Sequence, residues 1–414
     1  MELRAVGFDE SRLLAPGRAL DIFFQRASLP PPGRESVELD AALGRYLAVE
    51  VRAESALPPS ARSAMDGFAL AAASTPGRLH VVGAVAMGRR YPDPVGPGEA
   101  VRIPTGGVLP PGCDAVLPIE AARVEGDELL CEALQPGDAV TPAGSDLRAG
   151  EHLLGVGRRI GAPELSLLAT LGFARVEVFR RPRVAVLSSG DELVAIDARP
   201  EAWQVRDSNR YAIAGALRAM GAEALHLPSI GDAPGELLAV LKDAVACYDA
   251  VVLSGGSSVG ERDETPVAVA ALGSPGAIVH GLKVKPGKPT LLGAVGAVPI
   301  LGLPGNPSSS LLILDAIGGP ILARLCGAQP RGALFSARLG APVRKRPGWT
   351  WYLPVAVEQG PDGLVAQPLA LRSSMTSLAA RSDGYLALGE EIETLAVGER
   401  VDIYRYAHGG PPTA

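Results

Sequence analysis

Apolar runs that alternate with helical patterns fill residues 183–326, and they constrain the fold more than any other feature. RVAVLSSGDEL, EALHLPSI, DAVVLSGGSSVG and VPILGLPG predict buried strands, and the segments between them carry apolar residues at helical spacing. Apolar strands that alternate with helices are typical of a parallel sheet covered on both faces. We therefore expect a parallel α/β domain over residues 182–329.

The rest of the chain carries β signals. Short apolar runs between Gly/Pro loops predict a β-rich lobe over residues 55–145. A similar pattern follows residue 330, where QGPDG predicts a hairpin turn between YLPVAVE and LVAQPLAL. Helical segments near residues 10–28 and 163–171 would join these parts. The fold class expected is therefore α/β multidomain.

Composition excludes several classes of protein. Lys+Arg 39 against Asp+Glu 45 gives a net charge of −6, which does not favour nucleic acid or an anionic membrane surface as the partner. Gly, Pro or charge interrupts every apolar stretch of about 18 residues, and MELRAVGFDE lacks a signal-peptide pattern. Cys113, Cys131, Cys247 and Cys326 show no CxxC spacing, so buried free thiols in a soluble cytoplasmic protein are expected.

Each strand of the α/β segment ends in a Ser/Gly or Gly/Pro loop: SSGDEL, SGGSSVG and GLPGNPSSS. Ligands of open α/β sheets bind beyond the carboxyl ends of the strands, where glycines expose backbone N–H groups and helix N-termini favour anions. Asn306 suits an N-cap and Pro307 a first helical turn, which would leave Ser308 and Ser309 to present hydroxyls. One such loop fits an ordinary turn, whereas three at one sheet edge favour a phosphate or oxyanion site.

Carboxylates lie in or beside the same loops: Asp191, Glu192, Asp207, Asp232, Asp263 and Glu264. For any one of these acids a capping role is the commoner one. Acids clustered beside an anion site favour a bridging divalent cation, because the metal neutralises phosphate and activates water. The pattern thus indicates metal-assisted attack on a phosphoanhydride.

Lysine is scarce in this chain, yet KVKPGK contains three lysines. Lys283, Lys285 and Lys288 supply point charges for a phosphate or another oxyanion. Because alternate strand residues share a face, Lys283 and Lys285 are expected to act together, with a solvated surface as the alternative.

Eight motifs in order resemble those of the molybdopterin molybdenumtransferase family, also called molybdenum insertase, which includes the E domain of gephyrin. They are SAMDGFA, PTGGVLPPGCDAV, GSDLRAGEHL, RPRVAVLSSGDEL, DSN, SGGSSVGERD, KPGKP and GLPGNP, and the match runs from near residue 10 to about residue 407. No single motif is decisive, but the ordered set is specific.

The resemblance implies a homodimer of four-part subunits. Its parts would be a linker and dimerisation domain (1–54 with 146–181), a β-rich lobe (55–145), a molybdopterin-binding α/β domain (182–329) and a C-terminal β-barrel (330–414). In such proteins the active site lies between the α/β domain of one subunit and the lobe of the other. Molybdopterin adenylyltransferase and the maturation proteins of molybdoenzymes are further possible partners, and neither nucleic acid nor a membrane is expected.

The implied reaction starts from molybdate and adenylylated molybdopterin, with Mg2+ as the cofactor. AMP leaves and molybdenum enters the dithiolene, which forms molybdenum cofactor. The matching catalytic acids are Asp66, Glu192, Asp232 and Asp263, of which Glu192, Asp232 and Asp263 would hold the metal. Expected substrate-binding residues are Thr105, Arg148, Ser189, Gly190, Ser208, Asn209, Gly255, Gly256, Ser257, Lys285, Lys288, Pro304, Asn306 and Pro307.

Three positions depart from the family pattern. His152 stands where the family usually has an acid, so fixed negative charge is lost there. Trp349 follows Gly348 where the family has arginine, and Ser257 replaces the usual valine. These changes suggest a divergent enzyme with altered oxyanion handling.

Two other functions fit parts of the chain. The α/β segment alone resembles the molybdopterin adenylyltransferases, although the whole-chain match argues against that activity. A non-catalytic molybdopterin-binding paralogue or scaffold is favoured by His152 and Trp349, and the retained acids argue against it. The choice between molybdate and tungstate stays open.

Overall fold

The computed structural model describes residues 13–233, 235–255, 264–329, 332–370 and 375–406. Their contacts divide the chain into two compact units. One contains the described parts of Met1–Ala48, Val156–Ser166 and Ala174–Ala414, and the other contains Val49–Gly155 with Leu167–Phe173. The second unit extends beyond the predicted lobe 55–145 at both ends, and the four sequence-based domain boundaries stay predictions.

The helices of the described residues are α1 Pro16–Arg26, α2 Ala162–Thr170, α3 Asn209–Ala219, α4 Glu236–Cys247, α5 Thr265–Leu272, α6 Pro307–Ile313, α7 Gly319–Cys326 and α8 Ser377–Ala380. A π-helical stretch, Leu314–Gly318, joins α6 to α7, and short 3-10 turns cover Leu39–Ala42, Ala72–Ser74 and Ile119–Ala121.

The strands are β1 Arg34–Glu38, β2 Val51–Arg52, β3 Arg62–Ser63, β4 Gly67–Leu70, β5 Gly77–Ala84, β6 Glu99–Ile103, β7 Ala115–Pro118, β8 Arg123–Glu125, β9 Glu128–Cys131, β10 Val140–Thr141, β11 His152–Leu154, β12 Arg175–Phe179, β13 Arg183–Ser188, β14 Leu193–Val194, β15 Val205–Arg206, β16 Glu223–His226, β17 Ala250–Ser254, β18 Pro275–His280, β19 Val284–Lys285, β20 Leu291–Val295, β21 Val298–Leu303, β22 Phe335–Leu339, β23 Val343–Arg344, β24 Thr350–Gly360, β25 Gly363–Pro368, β26 Gly384–Leu388, β27 Thr394–Leu395 and β28 Arg400–Ile403.

The α/β sheet has the order β16-β13-β17-β21-β20-β18. Strands β16, β13, β17 and β21 are parallel, as the sequence predicts, and β20 and β18 are antiparallel to each other. Because β20 pairs antiparallel with both β21 and β18, β20 alone runs against the other five strands, and the expectation of a parallel sheet is wrong for that strand. Val295 pairs with Val298 across a tight turn, and so short a connection cannot make the crossover that parallel strands need.

Alternate residues of β13 explain why its sequence is apolar throughout. Val184 and Val186 pack into a core on one face of the sheet with Phe23 of α1, whereas Ala185 and Leu187 pack into a second core with Leu241. A strand buried on both faces keeps no polar alternation. The two cores hold this sheet between helices and fix where its strands end.

The C-terminal region forms a sheet of order β19-β24-β25-β22-β28, with β26 paired to β24. The predicted QGPDG turn is confirmed, because β24 and β25 form an antiparallel hairpin with Gly360 opposite Gly363. Tyr385 of β26 exchanges two backbone hydrogen bonds, of 2.8 and 2.9 Å, with Tyr404 directly after β28. The Tyr385 hydroxyl also donates to Oδ2 of Asp315 in the π-helical stretch, at 2.9 Å.

The second unit contains a six-stranded sheet of order β7-β4-β6-β5-β9-β8. Its strands pair antiparallel except β5 with β6, which are parallel. The same unit contains two separate two-stranded ladders, β3 with β10 and β2 with β11. The β-rich character predicted for this part of the chain is confirmed.

Two further expectations concern the cysteines and membrane-spanning helices. All four cysteines are free thiols, but Cys247 is exposed, so burial was wrongly expected for it. One helical segment, Pro307–Cys326, is long and apolar enough to pass a membrane-span test. It is mostly buried in the structure, as core helices are, and this makes it weak evidence for a membrane span.

Shortening Leu301 to alanine tests the first core. Leu301 is 1% exposed in β21, and removing its buried methyl groups is expected to lower the free energy of unfolding by about 2–5 kcal/mol. Urea unfolding followed by circular dichroism measures the change. Leu334→Ala, at a site 61% exposed, is the control and is expected to cost less than about 0.5 kcal/mol. Equal losses in both variants would contradict the packing described.

Candidate active site

The carboxyl ends of β13, β17 and β21 meet at one edge of the α/β sheet. The Ser189 N–H donates to the Ser254 carbonyl at 3.0 Å, and a Cβ on Gly255 would overlap the Ser189 carbonyl oxygen. Gly255 also has a φ of +94°, which favours glycine. On the next strand Gly305 lies against Gly255, with 3.9 Å between its ideal Cβ and the Gly255 Cα. The structure thus brings the predicted residues Ser189, Gly190, Gly255, Pro304 and Asn306 to one edge.

A buried carboxylate, Asp207, organises this edge. Its Oδ1 accepts a hydrogen bond from the Ser188 hydroxyl at 2.9 Å, and its Oδ2 accepts one from Ser229 at 2.9 Å. The Arg210 backbone N–H donates to Oδ1 at 3.3 Å, so Asp207 caps α3. Sequence alone left the cap open between Asp207 and Ser208, and the Ser208 side chain makes no cap bond.

Asn209 ties two strand ends together. Its side-chain amide donates to the Ser254 hydroxyl and, at 2.7 Å, to the Gly305 carbonyl. Asn209 is 9% exposed, and its Oδ1 has no hydrogen-bond partner in the described part of the chain. A buried acceptor without a partner is costly, so this oxygen suits a ligand donor.

Acidic side chains pack against two glycines beside this edge. A Cβ on Gly190 would collide with the Glu192 carboxylate, and one on Gly231 would lie 2.7 Å from Oδ1 of Asp191. The same Asp191 oxygen accepts the Asp232 backbone N–H at 3.0 Å. Asp191 was noted in the sequence only as one acid of the cluster, and its contact with Asp232 shows only in the fold.

The carboxylates of this group suit Mg2+. Asp191, Glu192 and Asp232 are exposed, and Mg2+ prefers carboxylate oxygens while it retains several waters. Across the residues that the structure describes, no group of three or more His, Cys, Asp or Glu side chains is arranged to hold a metal. The third predicted ligand, Asp263, lies outside the described residues, as do Gly256 and Ser257.

The helix that follows β21 differs in two respects from the sequence-based expectation. Asn306 stands at the N-cap of α6 with Pro307 in the first turn, but the Asn306 side chain makes no cap bond. Ser308 and Ser309 are 1% and 2% exposed, and the Ser308 hydroxyl donates to the Met375 carbonyl at 2.6 Å. The expectation that the Ser308 hydroxyl faces a ligand is therefore wrong, because the Met375 carbonyl engages it. The expected role of Ser309 stays a prediction.

Of the two lysines expected from KPGKP, Lys285 is exposed and Lys288 is half-buried. The Lys285 Nζ lies 4.2 Å from the centroid of the Trp351 ring, a cation–π contact. Its ammonium is therefore held at the surface of the first unit, at the edge of the C-terminal sheet.

In the second unit, Asp66 and Thr105 form a pair. Oδ1 of Asp66 accepts the Thr105 backbone N–H at 2.7 Å and its hydroxyl at 3.1 Å. These bonds, the backbone one first, lower the pKa of Asp66, so its carboxylate stays ionised to a lower pH than an ordinary aspartate does. A Cβ on Gly67 would overlap the Leu117 carbonyl oxygen, so the Asp-Gly sequence lets β4 pair closely with β7.

His152 lies in this unit at the position where an acid is expected from the family pattern. A carboxylate lies next to it. The His152 Nε2 lies 3.5 Å from Oε2 of Glu50, and the Arg52 Nε donates to Oε1 of Glu50 at 2.8 Å. The Arg52 hydrogen bond lowers the pKa of Glu50. Arg148, four residues earlier, is exposed, and its backbone N–H donates to Glu151. The nearest described carboxylate to His152 is thus that of Glu50, which is paired with Arg52 and which sequence reasoning missed because it lies far from His152 along the chain.

Thr105→Val tests what lowers the pKa of Asp66. The variant removes the hydroxyl donor and keeps the N–H donor, so the pKa of Asp66 is expected to rise while it stays below its ordinary value. Because the native pKa is lowered, any stability gained from the ionised form is present at neutral pH and is lost as pH falls through the native pKa. Carboxyl-carbon NMR of labelled aspartate measures the titration. Thr105→Ser keeps the hydroxyl and is the control, and an unchanged pKa in the valine variant would refute the role of the hydroxyl.

Comparisons with known proteins cover most of the chain. Residues 15–172 match the MoeA N-terminal region (domain I and II), residues 185–324 match a probable molybdopterin binding domain, and residues 336–406 match the MoeA C-terminal region (domain IV). The second match contains the sheet edge with Asp207 and Asn209, and the first contains Asp66 and Thr105.

Named relatives agree with these matches. A molybdopterin molybdenumtransferase of Synechocystis is 32% identical over 397 residues, which cover 92% of this chain and 97% of that protein. One of Bacillus subtilis is 31% identical and covers 83% of this chain and 84% of that protein. The crystal structure of a molybdopterin biosynthesis MoeA protein from Pyrococcus horikoshii is 33% identical with a TM-score of 0.77, over 95% of this chain and 99% of that one. By its motifs, fold and relatives, this chain is an enzyme of the molybdopterin molybdenumtransferase family.

Proposed function

We propose that the protein inserts molybdenum from molybdate into adenylylated molybdopterin and releases AMP in a Mg2+-dependent reaction. The observation that carries the proposal is the group of exposed carboxylates, Asp191, Glu192 and Asp232, beside the glycine-lined ends of β13 and β17. The names of the relatives support the same substrate and the same transfer.

The residues have separate tasks in this proposal. Glu192, Asp232 and Asp263 would hold Mg2+, which when bound would neutralise charge on the pyrophosphate. Gly190 and Gly255 let the loop backbones and the Glu192 carboxylate pack closely at this edge, and the unpaired Oδ1 of Asn209 would accept a donor from the pterin. Lys285 and Lys288 attract oxyanions, and Asp66 contributes an ionised carboxylate from the second unit.

Neutralising single acids tests the proposal. Glu192→Gln and Asp232→Asn are expected to slow AMP release from adenylylated molybdopterin by about 100-fold, the equivalent of about 2.7 kcal/mol in the barrier. Asp263→Ala is expected to keep the fold and lose the cleavage. Asp197→Asn, an exposed acid of the same loop, is the matched control. AMP release at the wild-type rate in the Asp263 variant would remove that residue from the mechanism.

A non-catalytic molybdopterin-binding protein is the second candidate, and His152 and Trp349 favour it. Tight pterin binding without molybdate-dependent AMP release would establish this alternative. Consumption of ATP in place of AMP release would identify an adenylyltransferase.

The architecture carried by this proposal is a cytoplasmic homodimer with a C-terminal β-barrel. The Tyr385–Tyr404 backbone exchange supports the barrel, because it links β26 to the chain just after β28, and β28 pairs with β22. Exchange of pterin with molybdopterin adenylyltransferase and with molybdoenzyme maturation proteins belongs to the same proposal.

Mixed dimers test whether two subunits share one site. If Asp66 of one subunit works with Glu192 of another, Asp66→Ala and Glu192→Ala are each inactive alone. Refolding the two variants together is then expected to restore about one quarter of the wild-type AMP release per dimer site, since half of the dimers are mixed and each has one intact site. Separately refolded variants mixed afterwards are the control, and no restoration would place each site within a single subunit.

A further inference from the structure

Trp203 differs from the other two tryptophans of the chain in its exposure. Its side chain is 65% exposed, whereas Trp349 and Trp351 are half-buried. A cation lies over each half-buried ring, with the Arg346 Cζ at 5.4 Å and the Lys285 Nζ at 4.2 Å from the ring centroids. Across the described residues, no aromatic ring or cation stacks on the Trp203 indole. Its open ring face suits a flat partner from outside the chain.

The backbone places Trp203 beside the acidic group of the site. Strand β14 pairs in parallel with β15, and the Val205 N–H donates to the Glu192 carbonyl at 2.9 Å. Trp203 precedes Val205 by two residues, a length of chain that reaches at most about 7 Å. The Trp203 backbone therefore lies close to that of Glu192, at the edge where the acids are grouped.

The loop that holds Trp203 is closed by its own hydrogen bonds. The Gln204 N–H donates to the Glu201 carbonyl at 3.0 Å, and the Gln204 side chain accepts the Glu201 N–H at 3.0 Å. Farther along the loop, the Arg206 Nε donates to the Ala198 carbonyl at 3.1 Å. A ring on a backbone fixed in this way needs little further ordering when a ligand stacks on it.

The order of groups along the sheet edge indicates which part of the substrate would reach this ring. In the sheet order β16-β13-β17-β21, the acids follow β13 and β16, whereas the Asn209 amide bonds at the ends of β17 and β21. In adenylylated molybdopterin a pyrophosphate joins the pterin to adenosine. With the pterin at Asn209 and the pyrophosphate at the acids, the adenosine is the part that extends beyond the acids. Trp203 is an exposed aromatic side chain of the loop that adjoins them.

We propose that Trp203 stacks on the adenine ring of adenylylated molybdopterin and of the AMP that is released. The inference rests on the proposed function in naming the substrate. Every base offers a π-face, and stacking removes apolar surface of both rings from water. Trp203 is thus a binding residue for the leaving half of the substrate, apart from the groups that hold its pterin and its pyrophosphate.

The test is isothermal titration calorimetry of AMP, with Mg2+, against the full chain. Trp203→Ala is expected to raise the AMP Kd about tenfold, the equivalent of about 1.4 kcal/mol. Trp203→Phe is expected to restore most of the loss, because phenylalanine also offers a ring face. Ile196→Ala, which shortens another exposed apolar residue of the same loop, is the matched control and is expected to change Kd less than about twofold.

Ribose 5-phosphate separates stacking from a structural effect. It keeps the sugar and the phosphate of AMP but has no base, so Trp203→Ala is expected to change its Kd less than about twofold. Equal losses for both ligands, or an unchanged AMP Kd, would overturn the inference. A larger loss for molybdopterin than for AMP would assign the ring to the pterin and overturn the adenine assignment.

Tryptophan fluorescence gives a second readout. AMP is expected to quench the emission of the wild-type chain, because the base contacts an indole. In Trp203→Phe the emission comes from Trp349 and Trp351, so AMP is expected to bind with little quenching. Quenching of the same size in both proteins would contradict stacking on Trp203.

Failure of the two proposals can be told apart. Weaker AMP binding in Trp203→Ala, in a protein that never cleaves adenylylated molybdopterin, would overturn the insertase reaction and keep the stacking site. Molybdate-dependent AMP release, with the same AMP Kd in wild type and Trp203→Ala, would do the reverse.

Discussion

The Asn209 side-chain amide links two of the strand ends that form the α/β site. It spans the ends of β17 and β21 by donating to the Ser254 hydroxyl and to the Gly305 carbonyl. Asp207, two residues earlier, accepts hydrogen bonds from the Ser188 and Ser229 hydroxyls and caps α3. Buried polar groups of this kind are stable only when they are matched, so each fixes the backbone around it. The glycine-lined loops and the acids beside them depend on that fixed edge.

Much of this edge could be predicted from the sequence, because it follows from local patterns. The apolar run of β13 and the helix after Asp207 are set by burial and capping, which neighbouring residues reveal. Contacts between distant segments could not be predicted in the same way. The Glu50 carboxylate beside His152 lies far from it along the chain, and the Ser308 hydroxyl is engaged by a carbonyl 67 residues away. The reversed direction of β20 follows from its two-residue turn into β21, which a count of strands and helices does not reveal.

The two units use different means to prepare a charged group. In the second unit, Thr105 donates twice to Asp66, so hydrogen bonds orient an exposed carboxylate and lower its pKa. In the first, aromatic rings place the cations of Lys285 and Arg346 without neutralising them. A carboxylate partner would hold a cation equally well but would cancel its charge. The indole rings of Trp351 and Trp349 therefore hold these cations in place and leave their charge intact.

The hydroxyl of Tyr385 links the C-terminal sheet to the helical segment that is capped at Asn306. It donates to Asp315 in the π-helical stretch, and burial, followed by the effect of that carboxylate, raises the pKa of Tyr385. A shortened chain that ended before β22 would lose this donor and would uncover the helix face that packs against Tyr352, Tyr385 and Tyr406. The core of the α/β part is thus completed by residues that come after it in the chain. During synthesis, the packing of the last helix of the α/β part is complete only after the C-terminal strands have been made.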